Sequence, residues 1–354
     1  MKNKSTTILY IYTDRRSFVN TDIAILESQF STTTYHFKTA IKTATPLSFI
    51  RQFFYLLIFG WQYEVLICFF AGYHSVLPSL FARWTGKKCI VFLGGTDCFK
   101  YPSFQYGNFT KKWYGKATCL SAHQASLLVP VSANLIESTS SYYPDDSGDQ
   151  GIYHWCHPLK TPYQVIPLQY NAEKFYRRDI PRKENSFISV AFGIEGPSFI
   201  RKGIDKMIMM ANHFTQYSFT IIGCETKDFP VAIPANVVVI PPVPYDQLPE
   251  YYSSHEYYLQ LSIAEGFPSA ICEAMLCECI PIGSNVAAIP IIVSEYGFLV
   301  ERREDPLILE TVRQAVAYTD KETMSKAARK HIIRNFGEGR RAGQLLSLIG
   351  SFVH

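Results

Sequence analysis

The sequence lacks the features that mark membrane-spanning, secreted and nucleic-acid-binding proteins. No apolar run approaches the roughly 20 residues needed to cross a bilayer. The first residues, MKNKSTTILYIYTD, turn polar without a small-residue cleavage site, which favours a first strand over a signal peptide. The net charge is only +4, and Lys and Arg form no stripe, so nucleic-acid binding is not favoured. What remains is a globular composition, with 47% hydrophobic and 18% charged residues.

Metal-ligand patterns are missing as well. The nine cysteines are odd in number and several lie inside apolar runs such as VLICFFA, which is typical of buried thiols in a reducing cytosol. Two clusters lack the spacing of a zinc site, namely Cys272, Cys277 and Cys279, and His154, Cys156 and His157. The sequence therefore predicts a cytoplasmic protein without a bound metal.

Strand-like runs alternate with helical stretches along the chain. The first series is TTILYIYT, TTTYHFK, VLICFF, KCIVFLGG and LLVPVS, and the second is FISVAFG, YSFTIIG, NVVVIPPVP, YYLQLS and IPIGS. Near-continuous apolar strands separated by helices indicate parallel sheets covered on both faces. The predicted fold class is α/β, with two Rossmann-like, doubly wound domains facing a central cleft, where ligands of such sheets bind.

Turn-forming and charged residues interrupt this alternation over residues 142–186. A chain of 354 residues also exceeds the size at which one core keeps growing. We expect an N-terminal domain over residues 1–170, a C-terminal domain over 171–335, and a helix over 336–354 that packs back on the N-terminal domain.

The most informative stretch covers residues 257–290. It is typical of a strand, a tight loop at residues 264–267, and a helix opened by Pro268 and Ser269. The free amides of the first helical turn and the helix dipole favour an anion such as pyrophosphate. Glu265 precedes this helix and Glu273 lies within it. One carboxylate can therefore contact a ligand group that lies beyond the phosphates of such an anion. The other can contact a ligand group that lies beside those phosphates.

This stretch resembles glycosyltransferase family 4 of the GT-B enzymes, whose mark is two glutamates separated by seven residues and followed by small residues and a Pro-containing strand. The segment EGFPSAICE fits it. The resemblance implies that Glu265 contacts hydroxyls of a donor sugar and that Glu273 holds the nucleotide ribose. It places four more residues on the donor side: Gly266, Phe267, Pro268 and Ser269. The alternative is an exposed Glu273 and a Glu265 that only complements the helix dipole.

A second match is SVAFGIEGPSFIRKGIDKMIMMA, residues 189–211. It is similar to the family's first C-domain strand, its glycine loop, here at Gly193, and a Lys-Gly pair that opens a helix. Lys202 carries a compact charge suited to a diphosphate. Arg201 is a substitute for the arginine that the family places after the loop glycine. The alternative is a solvated pair at a helix start.

Two segments depart from the family pattern. In VIPLQYNAEKF, residues 165–175, Leu168, Gln169 and Asn171 replace the usual asparagine, glycine and aspartate. In AAIPIIV, Ile291 stands where a glutamate is usual. These departures affect which nucleotide sugar we expect as the donor, and they leave the expected fold unchanged.

The segment FLGGTDC, residues 92–98, follows a buried strand where many relatives carry a histidine near the reacting sugar, and this chain has Gly94. Glycines allow a close backbone approach to a ligand, so Thr96 and Asp97 are candidates for bonds to sugar or acceptor hydroxyls. The alternative is a turn in which Asp97 caps a helix. Further candidates on the acceptor or sugar side are Gly95, Arg15, Arg16 and His74, and His74 has a structural role as its alternative.

The resemblance implies a retaining glycosyltransferase that moves a hexose from a UDP- or GDP-linked carrier to a hydroxyl of a glycan or lipid-linked acceptor, in cell-surface polysaccharide synthesis. The C-terminal domain would bind the nucleotide sugar and the N-terminal domain the acceptor. No Asp-x-Asp follows a strand. Lys202, Arg201 and the helix amides are therefore expected to stabilise the leaving diphosphate without metal or cofactor. The alternatives are a nucleotide-sugar epimerase and a non-catalytic sugar-nucleotide-binding protein.

The stretch PLSFIRQFFYLLIFGW, residues 46–61, predicts a helix that is apolar on nearly all sides. Such a helix is normally covered by protein, which favours burial in the first domain. The alternative is peripheral contact with the inner face of a membrane near the acceptor.

Overall fold

The computed structural model describes residues 6–38 and 45–352. The strands of the first sheet are β1 (Thr7–Tyr12), β2 (Ser31–His36), β3 (Val65–Phe69), β4 (Lys88–Leu93) and β5 (Leu127–Pro130). They pair in parallel in the order β2-β1-β3-β4-β5. The intervening helices are α1 (Ser17–Glu27), α2 (Thr45–Phe59), α3 (Tyr73–Thr85) and α4 (Lys112–Gln124). Because α3 packs against both α2 and α4, these three helices form one layer.

An antiparallel hairpin and a short helix complete the N-terminal half. They are β6 (Ser138–Ser140), β7 (Gly148–Gln150) and α5 (Ile152–Trp155). The irregular segment from there to residue 182 leads into the second sheet. The predicted division at residue 170 falls inside it and stays a prediction.

The C-terminal half is a second parallel sheet. Its elements are β8 (Lys183–Val190), α6 (Pro197–Arg201), α7 (Ile204–His213), β9 (Ser218–Ile222), β10 (Val237–Ile240), α8 (Leu248–Ser253), β11 (His255–Gln260), α9 (Ser269–Leu276), β12 (Ile280–Ser284), α10 (Ile289–Val293), β13 (Phe298–Val300), α11 (Asp305–Ala317) and α12 (Lys321–Phe336). The strand order is β10-β9-β8-β11-β12-β13.

Helix α13 (Arg340–Ser351) returns to the N-terminal half and packs on α1. Arg341 is buried there, and its guanidinium donates to both carboxylate oxygens of Asp22, at 2.6 and 2.8 Å. The same side chain donates to the carbonyls of Ile166 and Pro167. One arginine thus ties the last helix to the first helix and to the linking segment.

The predicted α/β class with two doubly wound sheets is confirmed. Burial explains the agreement, since all five residues of β3 are buried and the Phe187 ring of β8 stacks on Phe219 and Tyr257 of its neighbours at 5.1 and 4.8 Å. The sequence did not indicate β6, β7 or β13. Each has three residues, too few to show a periodicity.

Two expectations from the sequence are wrong. The cysteines are not all free, because Cys119 of α4 and Cys156, directly after α5, pair in a disulfide with their Cα atoms 5.1 Å apart. The other seven are free and buried. Helix α2 is not enclosed by protein either: Phe53, Phe54 and Ile58 are at least half exposed.

Candidate functional site

Glu265 lies in the loop between β11 and α9, at the carboxyl end of the C-terminal sheet. It is half-buried, and its Oε1 accepts hydrogen bonds from Ser262 Oγ at 2.9 Å and Gln260 Nε2 at 3.3 Å. Gln260 is fixed in turn by Tyr258, whose hydroxyl donates to Gln260 Oε1 at 3.1 Å. These bonds occupy one carboxylate oxygen and fix the orientation of the group.

The loop that carries Glu265 meets the first domain through glycines. A Cβ at Gly266 would overlap the carbonyl oxygen of Gly94, and a Cβ at Gly95 would lie 2.7 Å from the Gly266 Cα. Gly95 also has a φ of +129°, which side-chain-bearing residues rarely adopt. Because Gly95 and Gly266 have no side chains, the backbones of the two domains can contact each other here.

Asp97 organises the first-domain side of this contact. It is fully buried, and its Oδ1 accepts from the amides of Gly94 at 3.1 Å and Gly95 at 2.9 Å, while its Oδ2 accepts from Ala71 at 2.9 Å. Burial raises the pKa of Asp97, although these amide bonds act in the opposite direction. Of the two interpretations open from the sequence, the geometry favours the turn-forming one, because the amides engage both carboxylate oxygens.

Glu273 lies on α9 and is buried, so it is not the exposed helix residue of the alternative interpretation. Its Oε1 accepts from the Tyr245 hydroxyl at 2.7 Å, and its Oε2 accepts from Tyr252 at 3.4 Å. Burial raises the pKa of Glu273 to about 7, against a lowering by the two tyrosines and by Lys174. A ligand that donates hydrogen bonds to this carboxylate would favour its ionised form.

Helix α9 begins one residue later than the sequence suggests. Pro268 is its N-cap rather than its first helical residue, and it offers no side-chain hydrogen bond to the first turn. The Ser269 Oγ accepts from the Tyr170 hydroxyl at 3.2 Å. The Phe267 ring packs between Tyr170 and Phe336. Phe267 therefore anchors the loop, while the helix start stays uncapped.

Three cavities lie in a row along the cleft. The first has a volume of about 230 Å³ and is lined by Glu273, Tyr245 and Ser269. The second, about 150 Å³, is lined by Glu265 and again by Ser269. The third, also about 150 Å³, shares Arg16 and Thr96 with the second. The start of α9 thus separates a Glu273 compartment from a Glu265 compartment.

Lys202 does not open a helix directly, because it is the C-cap of α6, and Gly203 precedes α7. Gly203 has a φ of +74°, and a Cβ there would overlap the carbonyl oxygen of Leu261 in the loop that carries Glu265. The pKa of Lys202 is lowered by burial, partly offset by the nearby Glu265 carboxylate. Lys202 and Arg201 are half-buried, which excludes the solvated pair considered from the sequence.

Arg201 reaches across the cleft. Its guanidinium lies over the Tyr106 ring, 4.5 Å from the centroid, and its backbone carbonyl accepts from the Ile263 amide at 2.7 Å. Gly193, in the loop after β8, has a φ of +62° and an open surrounding. Arg201 and Lys202 thus lie beside the loop that carries Glu265.

Two arginines and a histidine approach from the first domain. Arg15 and Arg16 are both exposed, and only Arg16 lines the second and third cavities. His74 lines the third cavity, where its Nε2 donates to the Phe69 carbonyl at 2.8 Å and its buried Nδ1 has no hydrogen-bond partner in the described structure. Burial lowers the pKa of His74 to about 4, so it is neutral. Arg15 Nε instead donates a hydrogen bond to Asn20 Oδ1 at 2.8 Å.

The sequence did not indicate several residues of the first cavity. Tyr245 and Lys174 are the most important, since Tyr245 bonds to Glu273 and the Lys174 ammonium lies 4.4 Å from the centre of the Tyr245 ring. Lys174 and Tyr170 belong to the irregular segment that links the two sheets. Tyr245 follows β10 in an irregular loop and has no sequence signal.

Within residues 6–38 and 45–352, no group of His, Cys, Asp and Glu is arranged to hold a metal ion. Over the same residues, no helix combines the length and apolar character that a membrane span needs.

One comparison with known protein families covers much of the C-terminal half. Residues 196–331, which contain Lys202, Glu265 and Glu273, match the family model described as glycosyl transferases group 1. A search of curated protein sequences gives no match.

Solved structures share the whole fold. Sucrose-phosphate synthase from Thermosynechococcus elongatus matches with a TM-score of 0.73 and 14% identity over 98% of this chain and 99% of that chain. HepE from Anabaena, in complex with UDP, matches with a TM-score of 0.70 and 12% identity over 98% and 100%. A glycosyltransferase from Rickettsia africae gives 0.70 and 14% over 99% of each chain. The chain therefore has the GT-B glycosyltransferase fold.

Proposed function

We propose that this protein is a retaining glycosyltransferase of family 4 that takes a hexose from a nucleotide diphosphate sugar. One observation carries the proposal: Glu265 and Glu273 line two adjoining cavities on either side of the uncapped start of α9. This spacing suits a ligand with a ribose at one end, a sugar at the other and a diphosphate between them. The match of residues 196–331 to the group 1 model supports the same interpretation.

The donor would lie along the row of cavities. Glu273 would accept the ribose hydroxyls, with Tyr245 beside them. The amides at the start of α9 and the Lys202 ammonium would hold the diphosphate, with Arg201 and the Gly193 loop beside it. Glu265 would accept a hydroxyl of the sugar through the oxygen that Ser262 and Gln260 do not occupy. HepE has been solved with UDP-glucose, which makes a UDP sugar the first donor to test and a GDP sugar the second.

The reaction breaks the bond between the anomeric carbon and the diphosphate oxygen, and a bond from an acceptor oxygen to that carbon replaces it on the same face. The diphosphate leaves with both bonding electrons and takes the acceptor proton. Lys202 and the helix amides stabilise the charge that grows on it, so no metal is required. Glu265 is already engaged by Ser262 and Gln260, which supports its role as a sugar contact rather than a nucleophile.

The acceptor would enter from the first domain, where Arg16 and Thr96 line the second and third cavities and His74 lines the third. We propose a hydroxyl of a glycan or a lipid-linked glycan, in cell-surface polysaccharide synthesis. A cytoplasmic site of action is supported by the seven free, buried cysteines and opposed by the Cys119–Cys156 disulfide.

The test is release of the nucleotide from a panel of UDP and GDP sugars, with and without a glycan or lipid extract as acceptor. We expect acceptor-dependent release that persists in EDTA and falls about 100- to 1000-fold in Lys202→Ala. Gly94, which replaces the family's histidine, keeps a non-catalytic binding protein as the second candidate. Binding without release would support that candidate, sugar isomerisation without an acceptor would indicate an epimerase, and magnesium-restored activity would contradict metal independence.

A further inference from the structure

Helix α2 exposes most of its apolar side chains and buries two of its polar ones, Ser48 and Gln52. Exposed fractions reach 63% at Ile58 and 53% at Phe54. On the inner face, Ser48 Oγ donates to the Lys38 carbonyl and Gln52 Nε2 donates to the His74 carbonyl, both at 2.8 Å. A surface helix in water has the opposite arrangement. The outer face of α2 is therefore built for apolar surroundings.

The apolar surface continues onto the neighbouring helices. Trp61 and Trp84 contact each other with ring centroids 6.2 Å apart, and Trp84 is 75% exposed. A groove of about 340 Å³ between α2 and α3 is lined by apolar side chains alone, including Phe53, Leu80 and Trp84. On α4, Trp113 is 70% exposed. We call this the α2–α4 surface, and its exposed apolar residues are Leu47, Ile50, Phe53, Phe54, Leu57, Ile58, Phe59, Trp61, Leu80, Trp84, Trp113 and Leu120.

The charged residues of the segment that carries this surface are mostly positive. Residues 45–124 contain eight Lys and Arg but only two acidic residues, Glu64 and Asp97. Asp97 is fully buried, and Glu64 accepts from the Thr7 amide. Five exposed basic residues lie on these helices or at the start of α4: Arg51, Arg83, Lys111, Lys112 and Lys116. Lys88 is exposed too, but its ammonium lies over the Phe352 ring at the end of α13. The chain as a whole carries only +4, so positive charge is concentrated around the apolar surface.

We propose that the α2–α4 surface docks on an anionic lipid bilayer. Apolar side chains surrounded by Lys and Arg, with tryptophans among them, fit a helix that lies in the membrane interface. Anionic headgroups complement the exposed basic residues. A second copy of this chain fits less well, because a symmetric contact would bring two positive surfaces together.

The docking does not depend on the proposed sugar transfer, but it would serve it. Gln52, on the inner face of α2, bonds to the backbone of His74, and His74 lines the third cavity of the cleft. The bilayer would therefore lie about one helix diameter, roughly 10 Å, from the acceptor end of the cleft.

Flotation of the full chain with vesicles tests the proposal. We expect the protein to float with vesicles of equimolar phosphatidylcholine and phosphatidylglycerol, and to float less with pure phosphatidylcholine or at high salt. The variant carrying Phe53→Ser and Phe54→Ser should lose at least about tenfold in partitioning. A matched control carrying Leu307→Ser and Ile333→Ser, two exposed apolar positions on α11 and α12, should bind like the wild type.

Two results would overturn the proposal. One is no flotation of the wild type, or equal loss in both double variants. The other is a stable dimer in lipid-free solution that Phe53→Ser and Phe54→Ser convert to a monomer, since a second copy would then cover the surface. Circular dichroism of each variant shows whether it is folded, and nucleotide binding measured on the same samples separates a failure of docking from a failure of the proposed donor site.

Discussion

At the scale of single residues, Glu265 and Glu273 are chemically identical groups in different surroundings. Two polar side chains orient Glu265, which stays half-buried beside Lys202. Glu273 is buried under Tyr245 and Tyr252, and its pKa is raised to about 7. The first position suits a contact with a neutral sugar hydroxyl, and at the second we expect ligand binding to depend on pH.

The raised pKa of Glu273 gives a prediction about UDP binding. Ribose hydroxyls donate more strongly to a carboxylate than to a carboxylic acid. The ionised fraction of Glu273 grows as pH rises through about 7, so we expect the association constant to increase by up to about tenfold between about pH 6 and about pH 8. Calorimetry measures it. Glu273→Gln should bind UDP weakly, and its association constant should change less with pH than that of the wild type. The titration of UDP itself affects both proteins equally, so the difference between the two pH profiles comes from Glu273. The exposed control Glu250→Gln should keep the wild-type slope, and an unchanged slope in Glu273→Gln would refute the assignment.

The two glutamates could be found from the sequence because their spacing and the helix between them are local features. Tyr245 and Lys174 could not, because tertiary packing alone brings them to Glu273 from two other segments. The sequence identified Asp97 as a candidate but left two roles open for it. A carboxylate after a strand can face a ligand or its own loop, and only the positions of the Gly94, Gly95 and Ala71 amides decide between these.

At the scale of elements, the contact of the β11–α9 loop with the β4 loop depends on Gly266. A methyl group there would overlap the Gly94 carbonyl and hold the two loops apart. We expect Gly266→Ala to lower kcat by about 100-fold, the cost of misplacing reacting groups by about 1 Å. UDP affinity should fall less than kcat, because Glu273, the proposed ribose contact, lies on α9 rather than in this loop.

Gly343→Ala is the matched control for that variant, since its Cβ meets no neighbour and α13 tolerates alanine. Steady-state rates and calorimetry on both proteins check the prediction. Equal turnover in the two variants would show that the domains need not approach at this point.

Elements with a clear apolar pattern were predictable and the others were not. Most of the longer strands stand out as buried runs, whereas β13 and the β6–β7 hairpin are too short to do so. For α2, composition alone pointed to burial, because an apolar helix is usually enclosed. Its orientation depends on Ser48 and Gln52, whose partners are the backbone of Lys38 and His74.

At the scale of the whole molecule, the buried pair of Arg341 and Asp22 ties α13 to α1. We expect Arg341→Leu to destabilise the protein by about 3–5 kcal/mol, because it leaves a buried carboxylate unpaired. Within the described residues, the neighbouring Arg340 side chain donates only to the exposed Arg334 carbonyl, so Arg340→Leu should change the stability by no more than about 0.5 kcal/mol. Urea unfolding measures both, and similar losses would show that the pair contributes little.

The central claim is that the cleft binds the two ends of one nucleotide sugar at two different glutamates. Calorimetry with UDP, combined with steady-state rates, on Glu273→Ala, Glu265→Gln and Lys202→Ala tests it most directly. We predict that Glu273→Ala mainly weakens UDP binding and raises the KM for the donor, that Glu265→Gln binds UDP almost normally but turns over slowly, and that Lys202→Ala loses about 100- to 1000-fold in kcat. The account is contradicted if Glu265→Gln loses UDP affinity as strongly as Glu273→Ala, or if all three variants keep full turnover.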